Sequence, residues 1–282
     1  MLIDTHCHLD ASEFDADRDE VILNAIASGV NIMVVPAVEA ANFQTVIALS
    51  EIYPEVCYAL GIHPMYVNNA TENDLTTLRQ LIAKKLKDKL VAVGEIGLDF
   101  FVTIENREKQ EYFFSEQLKI ARQFELPVIL HVRKSSDIVL KHLRKIKVVG
   151  GIAHAFNGSR QQAEEFIKLG FKLGFGGAMT YSRALHIREL AKTLPIESIV
   201  LETDAPDIPL AWLHKSPAEN LQKSEIKLVK PRNTPAELKQ IALVLSELRN
   251  ENLLQISANT HFNACQVLPR LSTLCTSLKV SC

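Results

Sequence analysis

Short apolar runs recur along this chain, each followed by a longer amphipathic stretch, and that alternation restricts the architectures open to it. The runs cover residues 2–5, 31–35, 56–61, 90–95, 127–131, 148–154, 171–175 and 198–202. They are brief and mostly β-branched, as strands buried on both faces of a parallel sheet tend to be. Between the runs lie helical patterns. Residues 18–27 place Val21, Ile22, Ala25 and Ile26 on one face, with Gly29 as a stop. Thr71 and Asp74 have capping-box spacing ahead of Leu75, Leu78, Leu81, Ile82 and Leu86. Stretches 105–124, 135–144, 160–169 and 183–194 repeat the pattern, and residues 251–267 suit one more helix. Thr234-Pro235-Ala236-Glu237 puts proline in a first helical turn.

Eight strands, each followed by a helix or a connection long enough to hold one, predict an α/β fold of the (β/α)8 TIM-barrel type. A doubly wound open sheet is the alternative, because alternation does not report closure. One domain is expected over residues 1–267. The tail, 268–282, has no clear pattern and is expected to be weakly ordered. Segment 212–232 is irregular, lysine-rich and placed after the last strand, so it should overhang the barrel mouth.

Composition narrows the function classes. A hydrophobic fraction of 47% against 23% charged residues allows a sizeable core. A net charge of −2 argues against a protein that coats DNA by bulk electrostatics. The five cysteines are scattered and form no Cys-x-x-Cys pair, which points away from a disulfide framework and towards a reducing compartment. The first residues do not read as a signal peptide, and no apolar run approaches the roughly 20 residues that span a bilayer. A cytoplasmic protein without membrane contact is expected, and no obligate protein partner is evident.

The chemistry-bearing residues fall at strand ends. His6 and His8 close the first run; in a strand, residues i and i+2 face one side about 6.6 Å apart. Glu95 ends the fourth run, His131 the fifth and His154 the sixth, and Asp204 follows the eighth. In a parallel barrel these ends meet at the C-terminal face, where active sites of this architecture are built. Four imidazoles and two carboxylates converging there can hold two divalent ions, with Glu95 central enough to bridge them. Zinc suits this ligand set best, with manganese or magnesium as the other choices.

Asp4 and Glu202 read as groups that orient ligands from behind. Arg133 and His63 sit where they would meet a substrate, Arg133 being suited to phosphate or carboxylate. The alternative for Arg133 is an ion pair with Asp99 or Asp137. Gly174-Phe175-Gly176-Gly177 at the seventh strand end is either a phosphate-binding turn or close packing. Cys7, His142, His186 and His261 read as packing or surface residues, and His214 lies in the overhanging segment.

The runs Asp4-Thr5-His6-Cys7-His8-Leu9-Asp10, Gly61-Ile62-His63-Pro64, Gly94-Glu95-Ile96-Gly97-Leu98-Asp99, Leu130-His131-Val132-Arg133, His154-Ala155-Phe156 and Leu201-Glu202-Thr203-Asp204-Ala205-Pro206 together resemble the TatD-type deoxyribonuclease family of amidohydrolase-like barrels. Gly158-Ser159, Gly176-Gly177 and Glu202-Thr203-Asp204 resemble its bacterial metal-dependent hydrolase branch. The resemblance implies that His6, His8, Glu95 and Asp204 hold one metal, and that Glu95, His131 and His154 hold the other. It also implies phosphodiester hydrolysis, typically exonucleolytic on DNA. Two departures stand out. Arg232-Asn233-Thr234-Pro235 lacks a glutamate frequent in the family, and Met65 replaces a frequent histidine; both are expected in substrate-facing loops.

The expected activity is therefore a phosphodiesterase or deoxyribonuclease that uses a metal-activated water, with Asp204 and Glu95 as catalytic residues. Two alternatives keep the metals: an amidase or lactonase of a small molecule, and a non-catalytic metal-binding protein.

Overall fold

The computed structural model describes residues 1–101, 106–213 and 232–277. Among these, eight strands form one parallel sheet in sequential order. They are β1 (Leu2–Asp4), β2 (Val30–Pro36), β3 (Val56–Leu60), β4 (Leu90–Asp99), β5 (Val128–Arg133), β6 (Gly151–Ala153), β7 (Phe171–Phe175) and β8 (Ile199–Leu201). Closure comes just beyond the strands β1 and β8. The Thr5 N–H donates to the Leu201 carbonyl at 3.1 Å, and the Asp204 N–H to the His6 carbonyl at 2.9 Å. The sheet is thus a barrel and not an open doubly wound layer.

Ten α-helices among the described residues surround or underlie it. Seven follow strands: α1 (Arg18–Ala27), α2 (Phe43–Ile52), α3 (Glu72–Lys85), α4 (Arg107–Gln123), α5 (Ser136–Lys145), α6 (Arg160–Lys168) and α7 (Leu185–Thr193). The last three, α8 (Leu238–Arg249), α9 (Leu253–Val267) and α10 (Arg270–Ser277), follow β8. Helix α2 lies in a connection for which the sequence reading assigned no element, although Phe43, Val46, Ile47 and Ser50 carry helical spacing and are buried. The Thr234-Pro235 signal opens a 3-10 turn, Pro235–Glu237, and α8 follows it.

Strand lengths depart from the apolar runs where pairing decides them. β4 continues to Asp99 because Ile96, Gly97, Leu98 and Asp99 find register partners in Leu130, His131, Val132 and Arg133. β6 shrinks to three residues, leaving Val149 61% exposed.

Core residues separate into two layers by strand parity. Met33, Val35, Tyr58 and Leu60 join the large cluster that includes the helices, whereas Ile32, Val34, Cys57 and Ala59 join a smaller one. That smaller cluster also takes Val91, Ile129, Ile152 and Val200, so it is the barrel interior. Ala264, Cys265, Val267, Leu268, Leu271 and Cys275 belong to it as well.

The expectation of a weakly ordered tail from residue 268 is therefore corrected for the described part. Helix α10 forms, and Leu268, Leu271 and Cys275 are fully buried against the inner strand residues. The barrel interior itself supplies the burial that local pattern did not announce. Of the overhanging segment, residues 214–231 lie outside the described residues, His214 and the lysines 215 to 230 among them. No helix among the described residues is long and apolar enough to cross a membrane.

Candidate metal centre

All six residues expected at strand ends meet around one carboxylate. Glu95, in β4, is almost fully buried, and its two oxygens face different imidazoles. Oε2 lies 3.2 Å from His6 Nε2 and 3.7 Å from His8 Nε2. Oε1 lies 3.0 Å from His131 Nδ1 and 3.5 Å from His154 Nε2. Asp204 adds Oδ1 at 3.5 Å from His6 Nε2 and 3.7 Å from His8 Nε2. Three ligand-like groups share Glu95 or border it: His6 with His8 and Asp204, His6 with Glu95 and His154, and Glu95 with His131 and His63. His63, expected to face substrate, has Nε2 3.5 Å from Glu95 Oε1 and so stands within this cluster.

Burial makes the site demand positive charge. Glu95 loses solvent, but the imidazoles of His63, His6 and His154 more than compensate and hold its carboxyl well below the usual range. His6 is pushed down to about 3, first by burial and then by His154. The two rings stack with centroids 3.8 Å apart, so they cannot both carry charge cheaply. Burial also opposes a charge on His154, yet Glu202, Glu95 and Asp204 outweigh it and lift the imidazole to about 10. Burial raises Asp204 to about 6. Metal-free, the cluster keeps a proton on His154, and His131 is raised too, burial being outweighed by Asp99 and Glu95.

A divalent ion fits better than that proton. The donor set is nitrogen and carboxylate oxygen, the set zinc and its first-row neighbours take. His6, His8 and His154 turn Nε2, and His131 turns Nδ1, towards Glu95, so these nitrogens converge where an ion beside that carboxylate would sit.

Comparison with known proteins gives this geometry a lineage. The family model described as "TatD related DNase" matches residues 3–269. The chain belongs to the TatD family. It is 41% identical over 250 residues to the Escherichia coli K12 uncharacterized metal-dependent hydrolase YjjV, covering 88% of this chain and 90% of that one. The crystal structure of YjjV, a TatD homologue, superposes with a TM-score of 0.86 at 38% identity, covering 95% of this chain and 98% of the other. A 3'-5' ssDNA/RNA exonuclease TatD from a Pantoea strain is 31% identical over 270 residues, covering 94% and 98%. This chain is a metal-dependent hydrolase of that family.

Around the centre of this TatD protein, a second ring of residues does the positioning. Glu202 Oε1 approaches His154 Nδ1 at 3.3 Å and accepts from the Ala155 N–H. Asp4 does not reach a candidate ligand's side chain. It accepts from the Thr203 N–H at 3.0 Å and the Thr203 hydroxyl at 2.6 Å, and so steadies the residue beside Asp204. Gly174 in β7 and Gly176 just after it make room for this ring. A Cβ on Gly174 would lie 2.1 Å from Glu202 Oε2, and one on Gly176 2.7 Å from the Glu202 carbonyl.

Sequence reasoning considered Asp99 only as a rim acid for Arg133. It is fully buried, with Oδ2 3.0 Å from His131 Nε2. Its position in Gly94–Asp99 was the available signal, hidden because the strand was expected to stop at residue 95. Arg133 lies 48% exposed at the mouth, over the Phe101 ring at 4.0 Å and only loosely paired with Asp99 at 3.9 Å.

The two family departures separate. Met65 is half exposed and lines the cleft over Glu95. Thr234, in the missing glutamate's place, does not line that cleft; before it, Arg232 grips Asp17 through two nitrogens and buried Asn233 donates to the carbonyls of Thr203, Asp207 and Ile208. The cleft itself holds about 780 Å³ and is open to solvent, with His8, His63, Arg133 and Asp204 on its walls.

Proposed function

We propose that this protein is a cytoplasmic nuclease that hydrolyses phosphodiester bonds of single-stranded nucleic acid with two divalent ions. Zinc is the metal its donors suit best. The observation that carries the reading is Glu95, whose two oxygens face separate imidazole sets at 3.0–3.7 Å. His6, His8, Glu95 and Asp204 would hold one ion; Glu95, His131 and His154 would hold the other, with His63 beside it. Such ions lower the pKa of water and offset charge on phosphoryl oxygens. The TatD relative named a 3'-5' ssDNA/RNA exonuclease supports the substrate class.

The chain's own groups supply the rest. Asp204, raised towards neutrality by burial and open on the cleft side, accepts the proton of the attacking water. Arg133 projects a guanidinium that clamps a phosphate of the strand. Phe101, 60% exposed beneath it, offers a face on which a base can stack. Glu202 and Asp99 fix the ring orientations of His154 and His131.

The experiment is reconstitution. Metal-free protein reloaded with zinc, manganese or magnesium is offered labelled single- and double-stranded oligonucleotides, a generic phosphodiester and a lactone panel. Cleavage from the 3' end of single strands is expected, and Glu95→Gln should lose it together with bound metal. Activity on a lactone with none on any phosphodiester would replace this reading.

A further inference from the structure

A second cluster of soft ligands lies at the opposite end of the barrel. His261 and Cys265 stand four residues apart on α9, hence on one helix face, and Cys275 reaches them from α10. Cys265 Sγ is 3.7 Å from His261 Nε2 and 3.8 Å from Cys275 Sγ, and Cys275 Sγ is 3.9 Å from His261 Nε2. All three residues are buried.

The spacing is that of a tetrahedral face. With zinc–sulfur bonds of about 2.3 Å and zinc–nitrogen bonds of about 2.0–2.1 Å, tetrahedral angles set the sulfurs about 3.8 Å apart and each sulfur about 3.6 Å from the nitrogen. A disulfide needs its sulfurs about 2.05 Å apart, so the two thiols are not joined. Burial lowers the pKa of His261, which keeps the imidazole neutral and its lone pair available.

We infer that His261, Cys265 and Cys275 form a second metal site that takes one zinc ion, these three side chains filling three of its four tetrahedral positions. Two thiolates and an imidazole select zinc over magnesium or calcium. The ion would tie α10 to α9 beneath the strands, where Leu268, Leu271 and Cys275 already fill the barrel's lower end. Both thiols release protons on binding, so uptake strengthens with pH. Nothing in this site depends on the activity proposed for the mouth.

Cobalt(II) titration of the full-length, metal-free, reduced protein tests the site. Sulfur-to-cobalt charge-transfer absorption reports thiolate ligation, which the imidazoles and carboxylates of the mouth cannot produce. Cys7 does not confuse the reading, because its thiol is buried against the Val34 carbonyl and burial holds its pKa high. The expected result is a band whose amplitude at saturation corresponds to one dithiolate-bound cobalt per chain, is erased by zinc, and survives in Glu95→Gln. Cys265→Ser and Cys275→Ser should each lose the band and one zinc per chain.

No band in the wild-type protein at saturating cobalt overturns the site, as does a band that persists in both serine variants. Should those variants not fold, thiol labelling of the wild-type protein decides. Zinc must slow modification of Cys265 and Cys275 at least tenfold, and unchanged labelling rejects the site.

Discussion

The two ends of this barrel solve opposite problems. At the C-terminal mouth, Glu95, Glu202, Asp204 and five imidazoles crowd together largely out of water, and the metal-free cluster must keep a proton on His154 at neutral pH. At the N-terminal end, Val91, Ile129, Ile152 and Val200 meet Leu268 and Leu271 in an apolar plug. The mouth concentrates charge that folding alone does not reward, whereas the plug buries area that does. Function and stability are thereby separated along one axis, and variants at the two ends should behave differently.

The largest effect belongs to the mouth. Asp204→Asn keeps shape and removes the proton acceptor, so kcat should fall by about 10²–10⁴-fold with little change in melting temperature. Single-turnover cleavage beside a thermal melt measures both, and near-wild-type kcat would remove Asp204 from the chemistry.

The next effect belongs to the plug. Leu271→Ala empties a fully buried site and should cost about 2–5 kcal/mol of stability while kcat stays within twofold. Denaturant unfolding reads the first quantity. A loss of activity without a loss of stability would break the separation.

The smallest effect is graded. Asp204, near 6, and His154, near 10, hold protons that must leave before either group ligates. Raising pH removes those competitors and the proton of His131, whose pKa is raised as well, so metal affinity should rise by at least about tenfold per pH unit between pH 6 and 8. The slope should steepen below pH 6 as Asp204 joins. Chelator competition at stepped pH tests this, and a flat profile would mean that these groups are not ligands.

Most of this architecture could be read from the chain. Eight apolar runs correspond to eight strands because parallel strands are buried on both faces and must be apolar throughout. His6, His8, Glu95, His131, His154 and Asp204 fell at strand ends, and the barrel gathers strand ends. Helix α2 escaped because its apolar spacing sits in a connection that already looked long enough to hold a helix. Asp99 escaped for another reason. Its strand continues only because β5 offers register partners, and pairing between segments about 30 residues apart leaves no local trace.

By itself the sequence determined the periodicity, the eightfold count and the kinds of ligand atom at each strand end, since these follow from residue type and spacing. Only the tertiary structure decided that Glu95 turns one oxygen to each imidazole set, that Gly174 exists to admit Glu202, and that His261 meets Cys265 and Cys275 beneath the barrel. Each of those is a meeting of segments distant along the chain, and their distances are set by packing that no single segment contains.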